Sequence, residues 1–306
     1  MTVGTDVEDQ VHRTRQHLFG AYRQERNKLA AQMNASVTEV VLTYPAPGLA
    51  QGSHLTIDMD RMHVWSYDPQ TLTATVERGI DGSTAHGHIV GDFVEVNPRF
   101  DTFAIVTAIK NEIQSWDESL FRVVADEITF AQGNGWADLP STLAEAYFVI
   151  EARLRSTPVS FDEPITTWDR FPLVPRTRIM RSAHTDWFAS GEGVQLGILP
   201  AVSSQVQLIV AAPFDVVSDW ALDTDMISNV GLQRSMLDLA PMGAAIRLLA
   251  DQEANRSDMG AQGQPRIAEE SPPMYMTQTV QGMYQRYVRR MKQEASKLSS
   301  RYPVRT

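Results

Sequence analysis

Residues 76–96 read VERGIDGSTAHGHIVGDFVEV, and the fold around them turns on what this stretch is. Gly79, Gly82, Gly87 and Gly91 offer positions where the backbone can take positive φ, and Ser83, Thr84 and Asp92 are side chains that hydrogen-bond to nearby backbone in tight loops. Alternating apolar and polar residues flank the stretch on both sides, so it predicts a strand, a wrapped Gly-rich loop and a returning strand. The same residues offer a second chemistry. His86 and His88, two apart, share one face of an extended segment and could ligate a metal with His63 or Asp60 completing the set. No further Glu or His follows at a recognisable ligand spacing, and His184 in RSAHTDWF sits in an unrelated strand context. The expectation is therefore no metal, no cofactor and a structural loop.

Outward from this loop, period-two patterning spans residues 36–100. VTEVVLTY, SHLTIDM, MHVWSYD, TLTATVERG and DFVEVNP are separated by Pro-Ala-Pro-Gly, Asp-Met-Asp and Asp-Pro-Gln turn signals, which predicts a small antiparallel barrel or sandwich. Before it, residues 5–33 predict one long N-terminal helix in the segment 1–35: Thr5 and Glu8 form a capping box, and Val7, Val11, Leu18, Tyr22, Leu29 and Met33 make a narrow stripe. After it, residues 101–116 return to helical spacing, with Asp101 as N-cap and Phe103, Val106, Ile109 or Lys110, and Ile113 on one face.

A second β-rich module is expected over 117–213, from FRVVADEITF, YFVIEARLRS, RTRIMRS, VQLGILP and SQVQLIVAAPF. Residues 214–254 predict two helical segments meeting at Pro241, a residue that fits a helix start and breaks an interior. The polar, Gly- and Pro-bearing 255–273 predict a linker, and 274–306 a final helix with Met276, Val280, Met283, Tyr287, Met291, Ala295 and Leu298 at helical spacing. The fold class is α+β.

Composition bounds the function. With 43% apolar and 21% charged residues, the 306-residue chain has the make-up of a globular protein. The absence of cysteine removes disulfides, thiolate zinc sites and cysteine nucleophiles. No apolar run approaches a membrane span, and the polar first residues MTVGTDVEDQVHRTRQ are unlike a secretory signal. A net charge of −10 argues against a general nucleic-acid binder. The charge is uneven, however: from Tyr284 to Thr306, Arg286, Arg289, Arg290, Lys292, Lys297, Arg301 and Arg305 face a single acid, Glu294. Such a run is either a solvated helix face or a docking element for an acidic surface or passing DNA.

No nucleophile elbow, phosphate loop or dinucleotide fingerprint is present, and Asp58 and Asp60 flank Met59 in a turn where solvated carboxylates are the default. Trp136, Trp168 and Trp187 permit a sugar-binding module without specifying one. The chain is not expected to be an enzyme.

The stretch resembles a β-module of tailed-bacteriophage virion proteins from the neck, tail and baseplate. In that module a strand ends in Arg-Gly and continues through Gly-Thr-x-Ala-x-x-His-x-x-Gly-Asp, after an Ile-Asp-x-Glu-x-Met-x-Val hairpin. Arg78, Gly79, Gly82, Ser83, Ala85, His88, Gly91 and Asp92 fit it, and IDMDRMHVWSYD stands for the hairpin; Ser83 replaces the Thr and Asp60 the Glu. The histidine is structural in that pattern. Over the C-terminal third, LAPMGAAIRLLADQEANR and a helix ending MKQEASKLSSRYPVR look like head-to-tail connector proteins.

The resemblance implies a virion structural subunit of the neck: a homo-oligomeric ring of about twelve copies joining the portal protein to a tail or second connector protein. Double-stranded DNA would pass through its lumen without sequence specificity, and no membrane would be involved. The portal-docking residues would be Met276, Val280, Met283, Tyr287, Arg289, Arg290, Met291 and Leu298 of the last helix. A baseplate or tail structural protein is the alternative, and a tail-associated hydrolase or glycan-binding module a more remote one.

Overall fold

A computed structural model describes residues 4–18, 25–155, 173–174, 176–181, 188, 192–200, 203–216, 220–260 and 273–303, with the side chains of 252–279 left aside. The class is α+β, and the chain forms two compact units, each drawn from three segments. Unit 1 comprises Met1–Glu112, Val217–Ile227 and Met236–Tyr287; unit 2 comprises Ile113–Val216, Ser228–Ser235 and Val288–Thr306.

Unit 1 is organised by a six-stranded antiparallel half-barrel. Its strands are β1 (Glu25–Lys28), β2 (Glu39–Val41), β3 (His54–Ile57), β4 (Asp60–Asp68), β5 (Thr73–Arg78) and β6 (Phe93–Val96), in the order β1-β6-β3-β4-β5-β2. The alternation in the sequence does its work here. Met62 and Val64 of β4, Ala74 and Val76 of β5 and Val94 and Val96 of β6 point to one side, where they pack with Leu29, Leu42, Leu55 and Ile57. Each of these side chains larger than alanine stabilises the fold by about 1.5–3 kcal/mol relative to exposure. The outer face keeps His54, His63 and Trp65, with the His63 and Trp65 rings edge-on at 4.8 Å. The two outermost strands approach past their ends: Leu29 bridges Leu42, Ala30 N–H donates to the Val41 carbonyl (2.8 Å) and Thr43 N–H to that of Lys28 (2.9 Å). That link curls the sheet and protects edges that would otherwise be open to another strand.

The N-terminal helix is shorter than expected. Helix α1 covers Val7–Leu18, and Asp6 caps it by accepting from Asp9 N–H (2.8 Å), while Thr5 donates instead to Asp225 (2.8 Å). Tyr22 lies outside the described residues. Leu29 and Met33 belong to the β core, and Met33 exchanges backbone hydrogen bonds with His88. The helical reading failed because Leu29 and Met33 are four apart, whereas the buried residue that completes a strand pattern with Leu29 is the polar Asn27. Buried Asn27 is satisfied, accepting from Tyr44 N–H (3.0 Å) and donating to the Tyr44 carbonyl (2.7 Å).

Helix α2 (Thr102–Gln114) starts as expected, with Asp101 accepting from Ala104 N–H (2.6 Å). Helix α3 runs Leu239–Gly260, so residues 255–260 of the expected linker are helical, and 261–272 lie outside the described residues. Pro241 falls in its first turn, where a missing N–H costs no helical bond. The helical segment expected before it is turn and 3-10 structure instead, with one 3-10 turn at Arg234–Met236.

Unit 2 holds two three-stranded antiparallel sheets. The strands are β7 (Arg122–Phe130), β8 (Trp136–Asp138), β9 (Phe148–Arg155), β10 (Arg178–Arg181), β11 (Glu192–Gln195) and β12 (Ser204–Ala212), in orders β7-β12-β9 and β10-β11-β8. Val206, Leu208 and Val210 of the central β12 are fully buried with Phe130, Leu154 and Val194. Gly193 lies under the Phe188 ring, where a Cβ would sit 2.0 Å from a ring carbon. Trp136 packs near Phe188 at 6.0 Å between ring centroids, whereas Trp168 and Trp187 lie outside the described residues. The last helix, α4 (Pro273–Arg301), contributes residues up to Tyr287 to unit 1 and from Val288 to unit 2.

Candidate functional site

The Gly-rich stretch folds as a strand end, a wrapped loop and a returning strand. Beyond β5, Gly79 takes φ 66° and ψ 33°, a left-handed conformation that a side chain disfavours, and opens a single 3-10 turn over Ile80–Gly82. Ser83 closes the turn: its hydroxyl donates to the Ile80 carbonyl (2.9 Å) and accepts from Arg61 N–H (3.1 Å). Its own burial follows from those bonds. The loop then returns along Met33, with His88 N–H donating to the Met33 carbonyl (2.8 Å), and Asp92 accepts from Ile89 N–H (2.9 Å) just before β6.

At the centre of this loop lies a buried charged network. The Arg78 side chain is only 4% exposed and that of Asp60 not at all. Arg78 donates through Nε to Asp60 Oδ2 (3.0 Å) and through Nη2 to the same oxygen and the His86 carbonyl; Nη1 reaches the carbonyls of Asn34 and Val37 (3.3 Å to Val37). One guanidinium thus ties three backbone carbonyls, on the two segments around residues 34–37 and 86, to the sheet. Asp60 also faces His88 Nε2 (3.3 Å) and accepts from Gly79 N–H (3.4 Å). Burial pushes the Asp60 carboxyl up, but the hydrogen bonds from His88 and Arg78 outweigh it and leave its pKa below the ordinary carboxylate value.

The turn between β3 and β4 supplies a further carboxylate. Asp58, at φ 54°, brings Oδ2 to 3.8 Å from His88 Nδ1, and Asp92 Oδ2 stands at the same 3.8 Å from that nitrogen. Burial, with Asp92 nearby, raises the Asp58 carboxyl above its ordinary value, although His88 pulls it down. The ligand atoms of Asp58, His88 and Asp92 all lie within 4.8 Å of one another.

The sequence-derived loop residues therefore divide. Arg78, Gly79, His88 and Asp92 converge on the network, and Ser83 closes the turn beside it. Gly82 and Gly91 take positive φ at its borders, and Ala85 is half-buried without a polar role. His86 is exposed and contributes only its carbonyl, and His63 stacks on the outer face, so neither joins His88. Asp60, read from sequence as a solvated turn carboxylate, is wholly buried because Arg78 and His88 both need its charge. The role of Asp58 was missed: its spacing from Asp60 was visible, but the left-handed turn that swings it toward His88 was not.

The expected docking residues of α4 fare differently. Tyr287 is buried and its hydroxyl donates to Glu112, itself buried and paired with Arg247; Gly243 leaves room for that carboxylate, since a Cβ there would lie 2.3 Å from Glu112 Cδ. Arg290 pairs with the buried Glu294 and donates to the Ser235 carbonyl, and Leu298 is buried. Arg289 is exposed, while Val280, Met283 and Met291 are half-buried; Met276 lies where side chains are not described.

A shallow cleft in unit 1, lined by Arg61, Phe103, Asn111, Arg247 and Asp251, has its arginines committed to ion pairs, Arg61 with Asp81 and Asp101 at 3.0 Å each and Arg247 with Glu112. No described helix is long and apolar enough to cross a membrane. In comparisons with known proteins, no protein-family model and no curated protein matches the chain.

Proposed function

We propose that the chain is a structural subunit of a tailed-bacteriophage neck, part of a ring between portal and tail that DNA traverses. The observation that carries this reading is the use made of the motif resembling virion β-modules. Arg78, Asp60 and Ser83 are all consumed in holding loop to sheet, so the motif serves as architecture. A reactive centre would instead present such groups to a substrate-sized concavity. A second support is the exposed apolar side chains of the same unit: Tyr44, Trp65, Ile89, Val90 and Phe93 are each more than half exposed, a pattern suited to a subunit that meets neighbours.

In this reading, virions of the encoding phage contain the protein at the head-tail joint. Deleting its gene leaves heads and tails that form separately and do not join. Gold-labelled protein at the distal end of the tail would transfer the assignment to the baseplate, and normal infectious particles lacking the protein would refute both.

A further inference from the structure

We propose that Asp58, His88 and Asp92 hold one divalent transition-metal ion, of the manganese or zinc class, between the β3–β4 turn and the Gly-rich loop. This goes beyond the neck reading and does not depend on it. The argument begins with the histidine. Its side chain is 3% exposed, and Nε2 faces Asp60, a buried carboxylate held ionised by Arg78, so Nε2 carries a proton directed at that oxygen. A ring whose one proton sits on Nε2 turns the Nδ1 lone pair toward Asp58 and Asp92.

A lone pair aimed at two carboxylates is unfavourable unless something positive lies between them. The charged candidates are a proton on Nδ1 and a cation, and a bridging water is the uncharged one. A proton would draw one oxygen into a charge-assisted hydrogen bond at about 2.7–2.9 Å. Both oxygens instead stand off equally, at 3.8 Å, outside hydrogen-bonding distance. Equal stand-off is the arrangement expected of atoms sharing a point between them.

The donor set fixes the class of ion. One imidazole nitrogen and two carboxylates suit manganese or zinc better than an ion that takes oxygen donors alone, and metal bonds of about 2.0–2.2 Å would need the three atoms to close by fractions of an ångström. The Asp60–His88 pair supplies the carboxylate that ligating histidines commonly use to orient the ring and raise its basicity. The ion would pin the turn carrying Asp58 to the loop carrying His88 and Asp92, a structural clamp.

The test uses the full chain freed of metal by chelation, titrated with manganese(II) and followed by electron paramagnetic resonance, with thermal melting in parallel. One manganese per chain should bind, and melting should shift upward. Asp58 is 58% exposed and Asp92 27%, so Asp58→Asn and Asp92→Asn should fold, and each should weaken binding at least about tenfold. Binding that is equal in the double variant, or a wild-type site no tighter than millimolar for both manganese and zinc, overturns the proposal. Nitrogen-15 spectra give an independent arm. Zinc should move the His88 Nδ1 resonance and leave Nε2 protonated, whereas a doubly protonated ring indifferent to zinc would make the cluster a plain ion pair and overturn it as well.

Discussion

Replacing Arg78 by Met removes the charge from the centre of unit 1 while keeping most of the side chain's length. The magnitude follows from which of its partners can find substitutes. The carbonyls of Asn34 and His86 accept from Arg78 at positions open to solvent, so water replaces the donor there at little cost. Asp60 has no such recourse: it is wholly buried and would keep only His88 and the long bond from Gly79 N–H. Removing one member of a buried ion pair costs about 3–5 kcal/mol, against about 5–15 kcal/mol for a typical whole domain. The variant should therefore lose a large part of unit 1's stability and leave unit 2 close to wild type. Asp60→Asn should destabilise comparably. The double variant should recover at least about 2 kcal/mol relative to additivity, because neither charge is then left alone. Urea unfolding gives the totals, and hydrogen exchange over residues 33–37 and 84–91 localises the loss. A cost below about 1 kcal/mol for Arg78→Met, or additivity in the double variant, would show that the network does not hold the loop.

Gly193→Ala should destabilise unit 2 by about 1–3 kcal/mol through overpacking against Phe188, and Phe188→Leu should relieve it in the double variant, as read by thermal melting. Glu294 is 1% exposed; burial raises its carboxyl, but hydrogen bonds from Lys297, Arg290 and Ser235 bring it below the ordinary value. A carboxylate with a depressed folded pKa stabilises fully above its unfolded value, about 4.3, and that stability is lost as pH falls through the folded value. Urea midpoints should accordingly drop below about pH 4.3, and Glu294→Gln should flatten that limb; an unchanged limb would remove Glu294 from the account. If the chain is the neck subunit proposed and α4 faces the portal, charge reversal at Arg289 and Lys292 should weaken attachment to tail-less heads in co-sedimentation, more at low salt than at high.

Strands β2 to β6 were legible because their faces are segregated: alternation with clear turn residues leaves one burial solution. Helix α2 was legible for the same reason, with Asp101 marking its start. Strand β1 was not, because ERNK has one buried position and it is Asn27, whose partners lie across the sheet at Tyr44. Within the site, the glycines and His88 announced a loop. The burial of Asp60 depended on Arg78, 18 positions away, and Asp58 on a backbone turn, so both required the tertiary fold. Grouping into units was equally hidden, since each unit collects three separated segments.

The last helix shows how packing within the chain changes a functional argument. A tethered arm with a free Met-rich stripe would dock mainly by apolar burial, and its attachment would vary little with salt. In the structure the stripe is partly spent: Tyr287 bonds to Glu112 and Leu298 is buried within the chain. Truncating 274–306 would thus remove groups that the units themselves use, and loss of attachment would follow from damage as readily as from lost docking. What α4 still offers outward is mainly cationic, with Arg286, Arg289, Lys292 and Arg301 exposed beside Tyr284 and the nearby acid, Glu294, buried beneath. A surface of that kind acts through long-range steering, which falls off over about 8–10 Å at physiological salt. If α4 meets the portal, the partner face is acidic, and the salt dependence of attachment distinguishes the two modes: a steep loss with rising salt marks the cationic face, and a flat response returns the contact to the half-buried Val280, Met283 and Met291.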